Sequence, residues 1–211
     1  DDHLIAEQSF LQRTVNNPTR LPEPVIPGGD PYRICQPFVS VVRDAQTGTF
    51  RMWYEVPAPD PAISHVAYTE SKDGIAWPPP KVLPNYFRDK DYTHNCRLSV
   101  VDHGPDWPDA SQRYVMAVDS QARSGTRVAY VRIFTSADGL AWTRLTRKPD
   151  LAHNNDITSL HWDPIRKQYI AIASQVIAGI TGLARVPHQS ESKDLLNWSP
   201  KRRIIQPSLA P

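Results

Sequence analysis

Three features of the sequence predict an all-β chain assembled from repeated four-stranded antiparallel units. A segment with Ser, Asp and Trp in fixed places occurs three times, and a second landmark precedes each occurrence. Prolines, 21 in 211 residues, are about twice as frequent as the usual share of roughly 5%. Each proline fixes φ and removes a backbone donor, so this number argues for short strands and many turns rather than long helices.

The segment reads Ser71-Lys72-Asp73-Gly74-Ile75-Ala76-Trp77, then Ser136-Ala137-Asp138-Gly139-Leu140-Ala141-Trp142, then Ser192-Lys193-Asp194-Leu195-Leu196-Asn197-Trp198. Its aspartates are 65 and 56 residues apart, and its tryptophans keep the same intervals. Val41-Val42-Arg43-Asp44 before Phe50 forms the second landmark, matched by Val100-Val101-Asp102 before Tyr114 and Leu160-His161-Trp162-Asp163 before Tyr169. From that aromatic residue to the next repeat aspartate is 23, 24 and 25 residues.

Each unit reads as four strands. In the first, 38–42 is a short apolar strand, and Asp44 opens a turn in which its side chain bonds the backbone two residues on. Residues 50–56 return as an aromatic-rich strand, 65–70 form a third, and a tight turn at Asp73-Gly74 leads past Trp77 to an outer strand at 81–83. The second unit is expected at 98–101, 114–118, 127–134 and 143–145, the third at 157–161, 169–174, 182–187 and 202–205. Four antiparallel strands per repeat of about 55–65 residues is the signature of a β-propeller blade. The chain therefore divides into 1–32, holding the outer strand of a preceding blade at 17–28, then 33–88 as blade 1, 89–150 as blade 2 and 151–211 as blade 3.

The recurring residues read as scaffold: the aspartates pin turns and the tryptophans pack between blades. Asp44, Asp102 and Asp163 take the equivalent turn role. Propellers close with about four to eight blades, so three blades and a leading strand leave an open face. Either further blades or another chain is expected to complete the arc.

A formal net charge of +2, with no Lys/Arg stripe, excludes a nucleic-acid partner, and no apolar run reaches the length of a membrane span. Cys35 and Cys96 show neither zinc-site spacing nor a disulfide framework; two free thiols or one bridge both fit. The seven histidines show no ligand spacing, so no metal is expected. Neither a phosphate-cradling glycine loop nor a Ser-His-Asp signature is present.

Asn17-Pro18 with Pro24-Val25-Ile26, then Gly48-Thr49-Phe50-Arg51-Met52-Trp53-Tyr54, then Tyr68-Thr69-Glu70 running into the Asp73–Trp77 turn, resemble bacterial glycosyl hydrolases. Those are similar to the five-bladed propellers of the invertase/fructosidase group and, more distantly, the arabinanase/xylosidase group. The resemblance covers residues 15 to 205. The sialidase Asp-box is a weaker match, since its Trp falls one position later relative to Ser. The resemblance implies an incomplete five-bladed propeller that hydrolyses or binds a carbohydrate, needs no cofactor, and is secreted or periplasmic. The alternatives are a non-catalytic carbohydrate-binding propeller and an assembly module completed by another chain.

In the enzymes it resembles, acids at the starts of the inner strands of three blades serve as nucleophile or base, general acid, and tuner of the acid. Blade 1 here offers Cys35-Gln36-Pro37 and no acid. Blade 2 offers Asp91, a few residues early, and blade 3 offers Asp156. Asp156, Asp91 and Glu70 are the expected catalytic carboxylates, with Glu55 a further candidate acid. Arg97, His94, Asn95 and Asn155 are expected to bind substrate, alongside Trp107 in an insertion outside the repeat. Trp107 also reads as a loop anchor, and Trp53 and Tyr54, on opposite faces of one strand, read as core.

Overall fold

The structure, a computed structural model, describes residues 9, 14–30, 38–57, 64–84, 92–122, 129–146, 151–153, 158–179 and 182–205. Their regular secondary structure is antiparallel sheet, apart from one 3-10 turn at Ala110–Gln112. No helix among them is long and apolar enough to cross a membrane.

Three four-stranded sheets follow one another along the chain. The first is β1 (Val39–Arg43), β2 (Phe50–Pro57), β3 (Ser64–Ser71) and β4 (Lys81–Val82), hydrogen-bonded in that order. The second is β5 (Tyr92–Asp102), β6 (Tyr114–Ala122), β7 (Ala129–Ser136) and β8 (Thr143–Arg144). After β9 (Leu151–His153) comes the third: β10 (Thr158–Asp163), β11 (Gln168–Gly179), β12 (Gly182–Ser192) and β13 (Arg202–Arg203). These are propeller blades, each running from an inner to an outer strand. β9, from the stretch expected to open blade 3, pairs instead with β7 and extends the outer edge of blade 2. Residues 17–28, read as the outer strand of a preceding blade, form no strand; Ile26 packs against the cluster that holds Met52, Tyr54 and Trp77 of blade 1.

Registers fix which positions are equivalent. Arg43 faces Phe50, Asp102 faces Tyr114 and Trp162 faces Tyr169. Asp44 therefore corresponds to Asp163 and to His103, and Asp102 sits one residue earlier. The slip arises because the connection after β5 is the longer one, turning at Gly104 before the 3-10 turn. Asp44 and Asp163 each accept two turn N–H groups on Oδ1, while Asp102 accepts that of Gly104.

Alternation along each second strand sends odd and even residues to opposite inter-blade layers. Trp53 lies in one apolar cluster with Leu98, Val100, Met116, Phe134 and Trp142 of blade 2, whereas Tyr54 lies in another with Met52 and Trp77. Val115, Ala117 and Ile133 of blade 2 meet Leu160, Tyr169 and Leu195 of blade 3 in a third cluster. The three repeat turns are alike: Oδ1 of Asp73, Asp138 and Asp194 accepts two backbone N–H groups at 2.8–2.9 Å. The indole N–H of Trp77, Trp142 and Trp198 donates to the carbonyl of Gly74, Gly139 and Leu195.

Candidate functional site

Adjacent inner strands are fastened by serines. Ser40 Oγ accepts from the N–H of Val100 at 2.9 Å, and Ser99 Oγ accepts from that of Leu160 at 3.0 Å. β1, β5 and β10 thus run side by side with their first residues at one end, termed the mouth. The second strand of each blade ends there too. Counting five residues on from Phe50, Tyr114 and Tyr169 reaches Glu55, Asp119 and Ser174, which are 5%, 0% and 6% exposed.

Arg97 ties this end together. The ladder between β5 and β6 shifts register between His94 and Leu98, leaving Asn95, Cys96 and Arg97 in a bulge. Bulges re-aim side chains and are common beside functional sites. From it the Arg97 side chain, 14% exposed, places Nη1 3.3 Å from Oδ2 of the buried Asp119. Its guanidinium carbon lies 5.6 Å from the centre of the Phe38 ring in blade 1. The Nε of Arg97 is buried without a hydrogen-bond partner among the described residues. Arg132, also buried, donates from Nε to Ser120 Oγ at 2.6 Å in the layer facing blade 1.

This mouth holds buried charge in a fixed geometry. A guanidinium anchored on one carboxylate keeps its other donors aimed, and such a fork suits vicinal hydroxyls or a carboxylate. Glu55 holds the position equivalent to Asp119 in blade 1 and is likewise buried. Neither Glu55 nor Asp119 stands at an inner-strand start. Asp119 was missed by sequence reasoning; the five-residue count from each landmark aromatic was the signal that finds it.

Of the expected site residues, Asp91, Asn155 and Asp156 lie outside the described residues, as do Cys35 and Gln36. His94 and Asn95 are described as backbone of β5 only, so the side chains of the expected cluster are described for Arg97 alone. Glu70 stands at the other end of blade 1, paired with Arg51 where Glu55 pairs with Val66. Four residues of strand separate them, about 13 Å. There the Tyr68 hydroxyl donates to Glu70, and burial with that bond raises the phenol's pKa well above its usual value. Glu70, Lys72 and Asp73 line an open groove of about 550 Å³. A counterpart of about 360 Å³ in blade 3 has Glu191, Lys193 and Asp194 at the same positions. Trp107 also belongs to this far end. It stacks on His103 at 3.7 Å and meets Trp162 edge-on at 5.1 Å, anchoring its loop between blades 2 and 3. Among the described residues no group of three or more His, Cys, Asp or Glu could hold a metal ion.

No family model matches the chain, and no curated protein matches it. Solved structures do. A fructofuranosidase from Schwanniomyces occidentalis complexed with fructose aligns with TM-score 0.57 at 15% identity, over 78% of this chain and 33% of its own. An N-acetylgalactosamine deacetylase from F. plautii, in complex with blood group B trisaccharide, aligns with TM-score 0.53 at 19% identity, over 79% and 52%. An α-L-arabinanase from Penicillium chrysogenum, complexed with arabinobiose, aligns with TM-score 0.51 at 14% identity, over 82% and 50%. At these identities the likeness establishes the fold: an arc of a propeller of the fructosidase and arabinanase type. The chain spans about a third to a half of the length of the structures it matches.

Proposed function

We propose that the chain forms part of a carbohydrate-active propeller, with the sugar held at the end where the inner strands begin. The observation that carries this reading is the division of labour between the two ends. At the mouth, equivalent positions change from Glu55 to Asp119 to Ser174, and blade 2 holds a buried Arg97–Asp119 pair. Elsewhere the same turn and tryptophan recur in every blade, as a scaffold requires. Support also comes from the fold, since the fructofuranosidase and arabinanase that share it were solved with fructose and arabinobiose.

In this reading Arg97, with His94, Asn95 and Asn155, binds sugar hydroxyls, and Asp156 and Asp91 are the carboxylate pair. One acid protonates the glycosidic oxygen, which leaves with the bonding electrons. Its partner attacks the anomeric carbon or removes a proton from the water that does. Retention needs the pair about 5–5.5 Å apart, and inversion about 6.5–9.5 Å. No organic cofactor enters such a step.

The test is release of reducing sugar from arabino- and fructo-oligosaccharides by the wild type and Asp156→Asn. The substitution is expected to abolish turnover while the melting temperature stays within a few degrees. Undiminished turnover would move the site elsewhere. Saturable binding without turnover in the wild type would make the chain a carbohydrate-binding propeller instead.

A further inference from the structure

The two grooves at the far end, in blades 1 and 3, are built to one plan. A Glu-Ser-Lys-Asp run lines each: residues 70–73 in the groove of about 550 Å³ and 191–194 in that of about 360 Å³. The ladders make these positions equivalent, since Arg51 faces Glu70 and Ile170 faces Glu191, each one residue past the landmark aromatic. Both volumes lie in the usual span of small-ligand sites.

The fold does not require this composition. Ser and Asp make the turn: Ser71, Ser136 and Ser192 each donate Oγ–H to the Asp two residues on and accept a backbone N–H. Blade 2 forms the same turn with Thr135 and Ala137 where the other two blades have Glu and Lys. Lys72 and Lys193 are exposed, and the Glu70 side chain is 47% exposed. The Glu and Lys of blades 1 and 3 thus recur for something other than the turn.

Each carboxylate is held, and through the same atom. Oε1 of Glu70 accepts from the Tyr68 hydroxyl and lies 3.6 Å from Nε of Arg51. Oε1 of Glu191 accepts from Nε2 of Gln189 at 2.7 Å and from Nη2 of Arg202 at 3.0 Å. Tyr68 and Gln189 stand at equivalent positions, so different residues perform one task. Lys72 with Arg51 balances Glu70 with Asp73, and Lys193 with Arg202 balances Glu191 with Asp194. An ionic ligand gains little from a balanced lining. Sugar hydroxyls match it, because each can donate to a carboxylate and accept from an ammonium group.

We propose that these two grooves are secondary binding sites for a neutral polysaccharide, with Oε2 of each glutamate accepting from one sugar hydroxyl and the lysine donating to another. A chain of repeated sugar units meets both grooves, and its second contact is intramolecular. A polymer is therefore held more firmly than a short oligosaccharide. The inference concerns the end of the arc away from the mouth and does not rest on the reading of the mouth.

Electrophoresis through gels containing linear arabinan or inulin tests it. At least one of the two polymers is expected to retard the wild type. The apparent Kd should weaken at least about tenfold in Glu70→Gln/Glu191→Gln and in Lys72→Ala/Lys193→Ala. Unfolding midpoints should stay in place, because the substituted groups are not those that make the turn. Calorimetry with oligosaccharides reads the mouth, where both double variants should behave as the wild type, so either reading can fail while the other stands. A wild type that neither polymer retards would overturn the inference. So would retention that is lost in Arg97→Lys and kept in both double variants, since the mouth alone would then hold the polymer. Stronger retardation by polygalacturonate than by the neutral polymers would also overturn it, assigning the lysines to an anion site.

Discussion

Gly139 shows how closely single atoms are fitted at the blade junctions. It has φ of +77°, and a Cβ there would stand 2.8 Å from Cζ2 of Trp53. Gly139→Ala should therefore cost both backbone strain and overpacking, about 2–4 kcal/mol in urea denaturation. Gly104 has a similar φ of +83° with nothing near the missing Cβ, so Gly104→Ala should cost only about 1 kcal/mol. Equal losses in the two variants would show that Trp53 does not limit the junction. Leu195 holds the same turn position at φ of +65° and is 1% exposed; its buried side chain offsets the strain of the left-handed backbone. The ion pair at the mouth belongs to this scale too. Asp119→Ala leaves Arg97 without its buried partner and should destabilise by about 3–5 kcal/mol, with Asp119→Asn milder. A loss within error of zero, read by the same denaturation, would mean that solvent already compensates the pair.

At the scale of strands and turns, the repeat was legible because its residues act locally. Ser and Asp bond backbone within three positions, so spacing alone reveals the turn. The acid at the mouth was not legible. Asp119 lies in a strand buried on both faces, where a charge looks like an interruption, and its partner Arg97 comes from a bulge that hydrophobic alternation does not disclose. The same limit hid the one-residue offset of Asp102, since only the ladder shows that His103 is the counterpart of Asp44.

That offset has consequences for pH dependence. Burial holds the His103 imidazole at a pKa of about 4, below its usual 6.5, against the opposing pull of the Asp102 charge. Folding therefore favours the neutral ring. The stability is fully present above pH 6.5 and is lost as pH falls through about 4, with a slope no steeper than about 1.4 kcal/mol per pH unit. His103→Phe should flatten that part of the stability profile; an unchanged slope would assign the titration to another group. Asp44 acts lower. The N–H of Thr47, assisted by Arg113, holds its carboxyl at about 2, so its contribution persists above pH 3.8 and fades as pH falls through 2. Arg113 bridges Asp44 of blade 1 and Asp102 of blade 2 at 2.8 and 3.0 Å. Arg113→Met should move the acid-unfolding midpoint to higher pH, and a midpoint that does not move would place the acid sensitivity elsewhere.

Across the molecule, the two ends of the arc do different work. Away from the mouth, Arg113, His103 with Trp107, and the repeated turns join blade to blade. At the mouth, the same repeat positions diverge and carry buried charge, which is where a ligand site is expected when one scaffold is copied three times. The most direct measurement is calorimetric titration of arabino- and fructo-oligosaccharides into the wild type, Arg97→Lys and Glu70→Gln. Lysine keeps the charge opposite Asp119 but loses the planar fork. The account predicts saturable binding that weakens about tenfold in Arg97→Lys and is unchanged in Glu70→Gln, which lies at the far end of its blade. Binding lost in Glu70→Gln and retained in Arg97→Lys, or no saturable binding by the wild type, would contradict it.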